Sequence, residues 1–96
     1  MPSAPHSRYP EFAERVRTAR RRRGYSQEQC AAEVGVDRRS WVSYEAGRRV
    51  PHDAAELRGI CDLLGVDPAW LLGLTWIERP WPPPEEAQER DIPLID

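Results

Sequence analysis

Between residues 10 and 74 apolar side chains recur every three or four positions, and each recurrence runs into a glycine. Pro10 opens the first stretch, PEFAERVRTARRRRG, in which Phe12, Val16 and Ala19 share a helical face and Gly24 supplies a left-handed stop. Ser26 caps a second stretch with apolar positions Cys30, Ala31 and Val34, closed by Gly35. Asp37 caps a third, RRSWVSYEA, which turns Trp41 and Tyr44 inward and leaves Arg38, Arg39, Val42 and Ser43 outward. Beyond the loop GRRVPH, Ala55, Leu57, Ile60, Cys61 and Leu64 mark a fourth amphipathic helix ended by Gly65, and Asp67 with Pro68 opens a fifth, PAWLLG. No strand alternation occurs, so the expected fold is all-α, a compact bundle of about five short helices. Each is near or below the roughly 12 to 15 residues that a helix needs to persist alone, so packing must hold them together.

The flanks differ in composition. Residues 1–9, with Pro2, Pro5 and two serines, read as a flexible N-terminal arm; 10–74 is the domain; 75–96, with five prolines after Arg79 and the acidic run PEEAQERD, reads as a polyproline-like or disordered tail. At 96 residues and 40% hydrophobic, the chain supports one modest core and no deep cleft between lobes. The absence of an 18-residue apolar run predicts no membrane association, and an N-terminus without the order of a signal peptide predicts a cytoplasmic protein.

Charge changes the picture more than its total of −2 suggests. Residues 1–49 hold eleven arginines against six acids, residues 50–96 three against ten. All 14 basic residues are arginine, which fits either a GC-rich coding sequence or the use of forked donors toward phosphates and bases. Cys30 and Cys61 have no metal-ligand spacing and lie on apolar faces, while His6 and His52 are isolated. No metal, no cofactor and no catalytic nucleophile-base set is expected, so the chain does not read as an enzyme.

The run SQEQCAAEVGVDRRSWVSYEAGRRVP resembles the helix-turn-helix of phage repressor and Cro-like regulators, the XRE family, with Ser26, Gln27, Ala31, Gly35, Val36, Glu45, Gly47 and Pro51 at matching positions. Arg20, Gly24 and the downstream LRGICDLLGVDPAWLL extend the likeness over about residues 11–74. It departs where Cys30 replaces a leucine, Trp41 an isoleucine and Val42 a serine, and where the stretch from Pro51 to Leu57 is one residue longer. An indole at 41 needs volume that the smaller Cys30 can supply.

The resemblance implies a lambda-repressor-like, bacterial or phage-encoded regulator that binds double-stranded DNA, in which the third helix enters the major groove. It places Gln27 on a phosphate, and Arg38 and Arg39 at base edges or phosphates. Val42 would then meet a thymine methyl, Ser43 a base or phosphate, and Arg48 and Arg49 the phosphate backbone. It pairs Arg20 with Glu45 as a structural bridge. Arg21, Arg22 and Arg23 read either as a basic DNA patch or as a solvated helix end. The apolar residues of PAWLLGLTWIERPW exceed what so small a core can cover, so Leu74, Trp76 and Ile77 are expected either to form a homodimer interface or to fold back as a lid. The expected function is repression by a homodimer on an inverted-repeat operator. The alternatives are an antitoxin-type or operon autoregulator whose tail binds a partner protein, and an adaptor on the same fold that has lost DNA binding.

Overall fold

The computed structural model describes residues 7–84. Five helices follow in order: α1 Pro10–Arg23, α2 Gln27–Val34, α3 Arg38–Glu45, α4 Ala54–Leu64 and the single turn α5 Pro68–Leu71. No strand occurs among the described residues.

Local chemistry sets the boundaries. Pro10, which lacks an amide hydrogen, begins α1. The Ser26 hydroxyl accepts the Gln29 N–H at 3.0 Å while the Gln29 side chain accepts the Ser26 N–H at 2.8 Å, a reciprocal box that starts α2. Asp37 and Asp53 cap α3 and α4 through the N–H groups of Ser40 at 2.7 Å and Glu56 at 2.8 Å.

The core gathers one face of every helix: Phe12, Val16 and Ala19, then Cys30 and Ala31, Trp41 and Tyr44, Ile60, Cys61 and Leu64, and finally Val66 and Leu71. Tyr44 stands edge-on to both Phe12 and Trp41, with each ring-centroid separation at 5.9 Å. Trp41 and Cys30 are both fully buried within this cluster. Ala55, expected on the core face, is exposed, because it lies in the first turn of α4 and the inward stripe begins only at Leu57.

The chain after Gly73 differs from a loose tail as far as it is described. Trp81 packs against the core, its indole N–H donates to Asp62 at 2.7 Å, and the Arg58 guanidinium lies 5.7 Å from its ring. A large ring with one polar edge supplies both the apolar contact and the hydrogen bond that a proline-rich composition conceals. Ile92, Leu94 and Ile95, the expected anchors of a dimerisation arm, lie outside the described residues. No helix among the described residues is long and apolar enough to cross a membrane.

Candidate nucleic-acid interface

The connection between α2 and α3 is the three-residue turn Gly35-Val36-Asp37. Gly35 adopts φ +90°, and its N–H and that of Val36 both donate to the Ala31 carbonyl at 2.9 and 3.0 Å, so α2 stops abruptly and the chain turns into α3. Arg38 and Arg39 follow at once and are exposed; Val42 and Ser43, one turn on, are half-buried. The loop after α3 then folds back. Its Arg49 guanidinium lies 5.8 Å from the Tyr44 ring, and Arg48 is exposed beside it. Hydrogen bonds from Ser40 hold the Asp37 carboxyl below the usual range, and the charges of Arg39 and Arg49 add to that effect. The carbonyl of Gly47 accepts the N–H groups of Arg8 and Tyr9 at 2.8 and 3.0 Å, tying the chain before α1 to this loop.

Glu45 ends α3 and is buried. Its carboxylate accepts hydrogen bonds from Arg20 Nε at 2.5 Å and Arg20 Nη2 at 3.0 Å on α1, Gln27 Nε2 at 3.1 Å on α2, and Trp41 Nε1 at 2.7 Å on α3. Arg20 also donates to the Tyr25 carbonyl at 2.9 Å, and Arg17 to the Glu45 carbonyl at 3.2 Å. Burial pushes the Glu45 carboxyl up, but the bonds from Arg20, Trp41 and Gln27 together outweigh it and hold the group below its ordinary value. One carboxylate therefore fastens three helices and fixes how α3 projects from α1 and α2. Gln27, expected on a phosphate, spends one amide hydrogen here and keeps the other.

The arginine run at the end of α1 separates into individual roles. Arg22 makes a two-bond pair with Glu78 at 2.7 and 3.3 Å, and Arg23 lies over Gly65, where a Cβ would collide with its guanidinium. Arg15, nearer the start of α1, donates to the carbonyls of Trp70 at 2.5 Å and Thr75 at 2.8 Å. The Tyr44 hydroxyl donates to the Glu56 carboxylate. Sequence spacing does not reveal these contacts, since the Arg15 and Arg22 partners lie 55 to 60 residues away. Leu74, Trp76 and Ile77 are 75%, 88% and 57% exposed. They do not fold back onto the core as a lid would, whereas Trp70, Leu72 and Trp81 of the same stretch pack against it. Burial raises the Cys30 thiol to about 11 and the Cys61 thiol to about 12, so neither is poised as a nucleophile. No cluster of His, Cys, Asp or Glu among the described residues could hold a metal ion.

Residues 11–71 match the family described as helix-turn-helix domain. The chain is 36% identical over 61 residues to YonR, an SPbeta prophage-derived uncharacterized HTH-type transcriptional regulator of Bacillus subtilis, in a match covering 64% of this chain and 56% of that protein. It thus spans little more than half the length of this relative. Among solved structures, the restriction-modification controller protein C.AhdI from Aeromonas hydrophila superposes with a TM-score of 0.59 at 28% identity, over 66% of this chain and 94% of that one. The hypothetical transcription factor NHTF from Neisseria gives a TM-score of 0.60 at 25% identity, over 88% of this chain and 84% of that one.

Proposed function

Because the chain belongs to the helix-turn-helix domain family, we propose that it is a sequence-specific regulator of transcription, a repressor that binds double-stranded DNA as a homodimer on an inverted repeat. The observation that carries this reading is the exposed Arg38-Arg39 pair at the capped start of a helix whose base is anchored to two others through Glu45. The first residues of a groove-bound helix reach base edges, and a guanidinium there matches guanine O6 and N7 with two parallel hydrogen bonds.

In this arrangement at least one of Arg38 and Arg39 reads a guanine, Val42 touches a thymine methyl and Ser43 bonds a base or phosphate. The free amide hydrogen of Gln27 and the N-terminus of α2 meet one phosphate, and Arg48 and Arg49 others. The Glu45 hub supports this by holding α3 at one angle. Leu74, Trp76 and Ile77 join two copies so that the recognition helices enter successive major grooves about 34 Å apart. Repression follows from occupying the promoter.

Selection of bound fragments from a randomised duplex pool by the purified chain tests the reading. A shared motif with two-fold symmetry is the expected outcome. Enrichment of no motif would contradict it.

A further inference from the structure

The segment 74–81 is fastened to its own domain at three points, yet Leu74, Trp76 and Ile77 between them face away from it. Arg15 grips the carbonyls of Trp70 and Thr75, Arg22 pairs with Glu78, and Trp81 bonds Asp62. Between these fastenings Trp76 is 88% exposed. A backbone held this way cannot swing Trp76 onto its own core without breaking contacts on both sides, so the indole is presented outward.

Next to the indole lies an open cleft of about 300 Å³ lined by Glu11, Arg15, Gly73, Leu74, Thr75 and Trp76 itself. Its floor depends on glycine: Gly73 has φ +82°, and a Cβ there would come within 2.9 Å of the Glu11 Cβ. The lining suits an indole chemically. Arg15 already stacks on one tryptophan, with its guanidinium 5.1 Å from the Trp70 ring, and can face a second ring from its other side. Glu11 offers a carboxylate to an indole N–H, which needs an acceptor when buried. A protruding aromatic beside a hollow that suits it, on one surface, is the self-complementary pattern of a two-fold interface, in which each copy offers both halves.

We infer that the occupant of this cleft is Trp76 of a second copy of this chain, so that the two copies exchange indoles reciprocally across the two-fold axis, each N–H donating to the other copy's Glu11. The inference rests on the homodimer reading above and makes it specific. It gives α1, through Glu11 and Arg15, a part in the dimer as well as in the core. It also makes the spacing of the two recognition helices depend on the Gly73 turn.

The test is sedimentation equilibrium of the full chain over a wide concentration range, for the wild type, Trp76→Ala, Glu11→Arg and the double variant. Both side chains are exposed, so far-ultraviolet spectra should agree closely among the four proteins, which separates loss of association from loss of fold. The expected result is a wild-type dimer whose Kd rises tenfold or more in each single variant, with the double variant no weaker than the weaker single, because both changes break one contact. A dimer indifferent to Glu11→Arg, or one in which the two effects multiply, would overturn the indole exchange and leave the homodimer standing. A wild-type monomer throughout would overturn both, and would assign the exposed face to a different protein.

Discussion

Glu45 shows how a single side chain can set the geometry of a small domain. Four hydrogen bonds converge on its carboxylate from α1, α2 and α3, and the Arg20 side chain is itself only 12% exposed. Removing the carboxylate leaves a buried guanidinium with only the Tyr25 carbonyl to bond, and the Gln27 and Trp41 N–H groups without this acceptor, at a cost of about 3 to 5 kcal/mol, a large part of the stability of a domain this size. Glu45→Ala should accordingly show a urea midpoint far below the wild type. The pH dependence has a fixed sign. Because the folded-state carboxyl is held below its ordinary value of about 4.3, its contribution is complete above that pH and is lost as the pH falls toward the folded value. Wild-type stability should drop over that acidic window, and Glu45→Gln should flatten the drop.

Trp41 tests the same carboxylate from another side. Trp41→Phe keeps a buried ring but deletes one donor, and should cost about 1 to 3 kcal/mol by chemical denaturation. The Arg20–Glu45 pairing comes from the family resemblance and not from spacing, since the two residues lie 25 positions apart. The Trp41 contribution has a local signal, its i,i+4 relation to Glu45 on one helix. Gln27 has none: its partner is on another helix, and its position at the start of α2 points equally well to an anion.

At the scale of elements, α2 and α3 are eight residues each, so their ends carry much of their stability. These ends are legible in the sequence because caps and glycine stops are local chemistry. Ser26→Ala should cost about 1 kcal/mol, seen as a lower melting temperature with an unchanged far-ultraviolet spectrum at low temperature. The strap after Gly73 is not legible in the same way. Its contacts to Arg15, Arg22 and Asp62 depend on a three-dimensional course that a proline-rich composition masks. The arginine pair that opens α3 and the pair in the loop after it are expected to act differently. Arg38→Ala should cost about 1 to 3 kcal/mol on the selected site and relax preference at one base pair per half-site, as read by competition with single-base variants. Arg48→Ala should weaken binding to all duplexes alike and make the dependence on salt shallower.

For the whole molecule, a net charge of −2 conceals an uneven distribution of charge along the chain. The arginine-rich half of the sequence carries α2, α3 and the Arg48-Arg49 loop, with Arg38, Arg39, Arg48 and Arg49 all exposed, so the segment proposed to meet DNA is locally basic although the chain as a whole is not. The most direct measurement is therefore the affinity of the full chain for its selected duplex and for a shuffled duplex of equal length, each titrated at several salt concentrations. Preference for the selected duplex should be about 10³-fold or greater, with both affinities falling linearly on logarithmic axes as salt rises. Equal affinity for the two duplexes, or no binding even at low salt, would contradict the assignment of α3 as a reader of DNA sequence.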